Sequence, residues 1–177
     1  MKITLMTAAT IGLCCCGYGR AASDRPKDFS DGLIVVAGAE DVRYTIREAG
    51  VQEVGYEVRE DYPATKLLTE IRANLQKQGW RPLEEDLLNP GAQAFRGWGT
   101  GVDSTRSPER TVHTWSGQWE DKDQNVLLYS FRYECSRDDQ SHSPLVTTAA
   151  AYWPKSAANA AKKAVAARGK GVSSQQP

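Results

Sequence analysis

Two runs, Arg110 to Glu120 and Asn125 to Cys135, place large side chains on alternate positions, and this restricts the fold more than any other feature of the chain. Trp115 and Trp119 share one parity, and Leu127, Tyr129, Phe131 and Tyr133 share one as well. Side chains alternate faces along a strand, so this periodicity argues for two strands that each bury one face. Directly opposite residues lie on the same face, so an aromatic face shared by both strands demands pairs whose numbers sum to an even value. Pairing Trp115 with Tyr129 and Trp119 with Asn125 meets that condition. The connecting loop then has an odd number of residues, such as Asp121-Lys122-Asp123.

The rest of the chain supplies partners for that hairpin. Leu33-Ile34-Val35-Val36-Ala37 is short and branched enough for a buried strand. Val42, Tyr44 and Ile46 alternate, and after Glu48-Ala49-Gly50 the even Val54, Tyr56 and Val58 oppose the odd, polar Glu53, Glu57 and Arg59, as in a half-buried antiparallel pair. From Pro63 to Lys77 the period changes: Leu67, Leu68, Ile71 and Leu75 form one stripe of a helix that Pro63 can start and Gly79 can end. Asp86-Leu87-Leu88-Asn89-Pro90-Gly91 reads as an apolar step and a turn where a strand re-enters the sheet, and Leu145 to Trp153 reads as the last strand. The order β-β-β-α-β-β-β-β implies an α+β domain over residues 33–154, an antiparallel sheet with one principal helix packed on one face.

Charge separates that domain from the C-terminal segment. There is no Asp or Glu after Asp139, whereas Lys155, Lys162, Lys163, Arg168 and Lys170 lie beyond it, so residues 140–177 carry a net charge of +5 in a chain that is neutral overall. Ser156 to Arg168 is rich in alanine, the best helix former, and has Val165 as its only sizeable apolar side chain. Residues 155–177 therefore read as a basic Ala-rich helix and tail, frayed or solvated, with an anionic polymer or lipid headgroup as its alternative contact.

The N-terminus points to export. Lys2 precedes the apolar run Ile3 to Leu13, too short for a membrane span of ~20 residues and suited to a secretory signal. Leu13-Cys14-Cys15-Cys16 resembles a bacterial lipoprotein signal, and the resemblance implies acylation of Cys16 after removal of the residues before it. In the other route, Gly19-Arg20-Ala21 offers small residues three and one before a cut that releases a soluble secreted protein. The polar stretch 17–32 reads as a tether. Either cut leaves about 155 to 162 residues, enough for one domain without disulfide staples. Only Cys135 lies beyond the export segment, and its place on an aromatic strand suits a buried, unpaired thiol.

Tyr62-Pro63-Ala64, the helix after it, Gly79-Trp80, the Asp86 to Pro90 turn and the Trp-rich hairpin together resemble a pattern found in small uncharacterised bacterial exported proteins. The resemblance spans about residues 55 to 135 and implies fold and localisation. It brings no catalytic residue.

A search for chemistry returns little. His113 and His142 sit in none of the spacings that bind zinc, and no cofactor motif is present. Glu84, Glu85 and Asp86 adjoin one another along the chain, so their carboxylates alternate faces and form no acid/base pair on one substrate. Asp103, Ser104 and His113 supply the residue types of a hydrolytic triad without a nucleophile elbow. Gly97-Trp98-Gly99-Thr100-Gly101 lacks the ending of a phosphate loop and reads as a tight turn or bulge. Trp98 lies outside the alternating runs, so its ring is expected to be partly exposed on a loop, where it could stack on a sugar or contact a protein. The candidate binding residues are therefore Trp98, Arg96 and Arg106.

Together these features favour a non-enzymatic accessory or binding domain of the cell envelope. It is lipid-anchored, or alternatively a soluble secreted or periplasmic protein, and recognises an envelope protein or an anionic glycan. Export and the acidic main domain leave nucleic acid without support. The alternative is an enzyme, a hydrolase whose site is assembled from residues distant in sequence.

Overall fold

The alternating runs pair into one antiparallel sheet. The computed structural model describes residues 20–22, 24–61, 63–103, 110–136 and 144–172. Its strands are β1 Arg20–Ala22, β2 Glu40–Ile46, β3 Gln52–Arg59, β4 Arg81–Pro82, β5 Arg96–Asp103, β6 Arg110–Glu120, β7 Val126–Ser136 and β8 Leu145–Trp153, with helices α1 Lys66–Lys77 and α2 Lys155–Val172. The sheet runs β1-β2-β3-β8-β7-β6-β4, and β5 pairs with β6 on the same side as β4. The last strand in sequence thus lies at the centre, between β3 and β7.

The hairpin keeps the parity expected of it but slides by two residues. Trp115 stands opposite Phe131 and Trp119 opposite Leu127, rather than opposite Tyr129 and Asn125. The cause is a longer loop, 121–125, organised by one carboxylate. Asp121 Oδ1 accepts from the amides of Asp123 and Asn125 at 2.9 Å each, Asp121 Oδ2 accepts from Asn125 Nδ2 at 2.8 Å, and Gln124 takes a φ of 66°.

One face of the sheet carries the main core. Helix α1 buries Leu67, Leu68, Ile71 and Leu75, the stripe read from the sequence, against Tyr44, Val54, Tyr56, Trp115, Trp119, Leu127, Tyr129 and Phe131. Glu60 Oε1 accepts from the Leu67 amide at 2.8 Å and so satisfies one of the helix's orphan N-terminal donors. Burial pushes the Glu60 carboxyl above the usual carboxylate range, against the opposing pull of the Leu67 and Lys66 amides. At the other end Gly79 takes a φ of 84°, which lets the Trp80 amide reach back to Leu75 O at 3.0 Å.

Leu33 to Ala37 is not a strand. Leu33 and Val36 are buried as the apolar run implies, but the backbone bonds to a side chain and to local turns instead of a ladder: Ile34 N donates to Tyr129 Oη at 2.8 Å, and that hydroxyl donates to Gly32 O. A short apolar run is compatible with either arrangement, so periodicity alone does not separate them. Nor does the stretch read as a tether hang free. Phe29 is buried edge-to-face on Tyr44, Arg25 Nη2 donates to Ser30 O at 3.0 Å, and Arg20–Ala22 is the outermost strand of the sheet.

The second face is covered at one end only. Ala157 and Ala158 of α2 are buried, and Ala158 packs with Val126, Leu128 and Leu87, so the Ala-rich helix docks through its first turn rather than fraying from its start. The rest of that face is an open trough of about 510 Å³. Gly55, Ser130, Thr147, Ala149 and Ala151 line it beside charged Arg43, Arg47, Glu53 and Glu57.

Candidate functional site

The sequence-predicted contact residue Trp98 lies in β5 and not on a loop. The glycines around it permit a bulge: pairing with β6 shifts between Arg96 and Gly99, then continues as Gly99 opposite Thr114, Thr100 opposite His113 and Val102 opposite Thr111. The bulge half of the expectation for this segment holds, and the tight turn does not. Alternation fails to reveal the strand because glycines occupy the positions that would carry its pattern.

The Trp98 ring is half-buried and meets Tyr133 edge-to-face, with centroids 5.3 Å apart. Tyr133 in turn stacks on His113 at 4.6 Å with an interplanar angle of 13°. Val102, four residues further along β5, is 62% exposed. Of the other two residues expected beside Trp98, the Arg96 backbone belongs to β5, while Arg106 lies outside the described residues, as do Cys16 and His142.

A second group emerges at the same end. Cys135 Sγ lies 3.5 Å from His113 Nε2, and His113 Nδ1 lies 3.4 Å from Thr100 Oγ1, so β7, β6 and β5 each contribute one member of a thiol–imidazole–hydroxyl chain. Cys135 and His113 are both buried. Loss of solvent pushes the Cys135 thiol up and the His113 imidazole down, and both shifts work against a thiolate–imidazolium ion pair.

Sequence reasoning missed this contact for a definite reason. Residues 113 and 135 share parity, so their common face was legible. In the register expected from parity alone, however, Cys135 faces position 109 and is remote from His113. The slide by two residues brings Cys135 opposite Thr111 and makes His113 its diagonal neighbour. Of the Asp103, Ser104 and His113 combination, His113 meets Thr100 and Cys135, while Ser104 lies outside the described residues.

Glu85 and Asp86 organise a turn. Glu85 Oε1 accepts from the Gly91 amide at 2.6 Å, and Asp86 Oδ1 accepts from the Leu88 amide at 2.8 Å and from Gln118 Nε2 at 2.7 Å. With Glu84, Glu120 and Lys162 they line a cleft of about 610 Å³. Among the described residues no group of three or more His, Cys, Asp or Glu side chains is placed to hold a metal ion. No family model matches the chain, and no curated protein or solved structure matches it either.

Proposed function

We propose that this chain is an exported, lipid-anchored binding domain of the cell envelope that takes an extended segment of a partner protein along the free edge of β5, with Trp98 as its main side-chain contact. The supporting observation is the position of Trp98. It is a half-buried indole on a strand whose outer edge carries no partner among the described residues, beside glycines that let another backbone approach closely. Arg96 and Arg106 belong to the same or adjoining segment and add a charge preference. Membrane attachment in this reading comes from acyl chains on Cys16; among the described residues no helix is long and apolar enough to cross a membrane.

The test is crosslinking in cells followed by recovery of the domain, wild type against Trp98→Ala. Because the indole packs on Tyr133, the substitution should cost about 1 to 2 kcal/mol of stability, not the negligible amount an isolated loop residue would cost. Recovery of the crosslinked protein should fall roughly tenfold or more in the folded variant. Equal recovery from both would remove Trp98 from recognition, and recovery of glycan alone would replace the protein partner with an anionic polysaccharide.

The contact between Cys135 and His113 favours a second reading, a thiol-dependent hydrolase in which His113 takes the thiol proton. The two readings differ in a pH profile. With a raised thiol and a lowered imidazole, alkylation of Cys135 by iodoacetamide should be slow at neutral pH, should accelerate only above the usual thiol range of about 8.5, and should be little changed by His113→Ala. A fast plateau through neutral pH that disappears in His113→Ala would establish an activated thiolate and favour the enzyme.

A further inference from the structure

Strand β1 restricts where the mature chain can begin. Its pairing sets Arg20 opposite Ile46, Ala21 opposite Thr45 and Ala22 opposite Tyr44. A signal cut after Ala21 would remove Arg20 and Ala21 from this strand and leave the outer edge of β2 with an unpaired row of donors and acceptors. A cut before Cys16 keeps the strand whole.

The direction of β1 matters equally. The chain leaves Arg20 toward the end of the sheet that holds Ile46 and the Glu48–Gly50 turn. Ile46 is 45% exposed there, and the turn lies against the start of α2, where a Cβ on Gly50 would stand 3.6 Å from Pro154 Cγ. Cys16 is four residues upstream of Arg20, so an extended chain reaches at most about 14 Å from this corner. Helix α2 starts beside the turn and brings exposed Lys155 there, while its later Lys162 lines the cleft at the β4 edge; Glu48 is exposed in the turn, and Glu53, opposite Thr45, is paired with Arg47 at 2.7 Å.

The Trp98 edge lies far from that corner. From Ile46 on β2 the order β2-β3-β8-β7-β6-β5 puts five strand spacings between them, about 24 Å across the sheet. Ile46 is level with Trp119 through successive pairings, and Val102 faces Thr111, so the two also differ by about 27 Å along the strands.

We infer that the mature chain begins upstream of Arg20, and that β1 seats the corner formed by Ile46 and Glu48–Gly50 at the lipid headgroups while the Trp98 edge faces away from the bilayer. This orientation rests on acylation of Cys16, and the test separates the two. The acylated full-length protein, carrying a fluorophore on Ile46→Cys or on Val102→Cys in a Cys135→Ala background, is reconstituted into phosphatidylethanolamine–phosphatidylglycerol vesicles with a nitroxide-headgroup lipid. Both positions are exposed, and melting of each labelled variant checks its fold. The label at 46 should be quenched several-fold more than the label at 102. Incorporation of labelled fatty acid, lost in Cys16→Ala, together with equal or reversed quenching overturns the orientation and leaves the anchor standing. A mature chain whose mass begins at Ala22 overturns both.

Discussion

Replacing Trp115 by alanine should destabilise the domain by about 3 to 5 kcal/mol, the largest loss expected of any single aromatic residue here. The indole is 4% exposed and stacks on Phe131 at 5.2 Å, meets Phe95 at 6.0 Å and tilts against Trp119 at 6.0 Å. Arg72 of α1 lies over it, with Cζ 5.3 Å from the ring centroid, so the same residue ties helix to sheet. The space it fills is moulded by a missing side chain: a Cβ on Gly117 would stand 2.5 Å from the edge of the Trp115 ring and 2.9 Å from Phe95. Such a pocket cannot collapse readily once the ring is gone. Urea unfolding of Trp115→Ala beside Trp98→Ala checks the point; a loss for Trp115→Ala no greater than that for Trp98→Ala would mean that the cluster repacks.

Tyr129→Phe should cost about 1 to 3 kcal/mol although it deletes one atom. The Tyr129 hydroxyl donates to Gly32 O and accepts from Ile34 N at 2.8 Å, and burial pushes its ionisation far above the ordinary phenol range. Phenylalanine preserves the ring's packing but leaves Ile34 N and Gly32 O with only their mutual bond of 3.1 Å, so the penalty is one of under-satisfied polar groups and not of a cavity. The damage should be local first. Amide hydrogen exchange at Ile34 should rise more than at Leu127, and the loss should exceed that of Tyr152→Phe. Equal protection at Ile34 in both proteins would show that its backbone bond to Gly32 O holds the turn without the hydroxyl.

These two residues also separate the legible part of the fold from the hidden part. The parity of Trp115, Trp119, Tyr129 and Phe131 reveals a shared buried face because side-chain alternation is local, and the Leu67, Leu68, Ile71 and Leu75 stripe reveals α1 for the same reason. The exact pairing depends on how Asp121 folds the loop, which parity does not carry. The clamp of Tyr129 on residues 32–34 links positions nearly a hundred residues apart, so an apolar run that looks like a strand is held by a hydroxyl instead. At the candidate site Trp98 was visible as an aromatic among glycines, but its strand was hidden by those glycines. The Cys135–His113 contact was hidden by the two-residue slide.

The central place of β8 has a consequence for how the chain acquires its structure. β3 pairs with β8 from Gln52 opposite Tyr152 to Arg59 opposite Leu145, so the middle of the sheet closes only after almost the whole domain has been synthesised. Contacts this distant in sequence require loop-closure entropy to be lost before they contribute, which slows folding. Until β8 arrives, the β2–β3 hairpin and α1 have no sheet to complete, and β7 lacks a neighbour on one side. A polypeptide with that wiring can form its β2–β3 and β6–β7 hairpins early, but until its last strand is in place they have nothing between them, and the facing edges of β3 and β7 stay open to pairing with another chain.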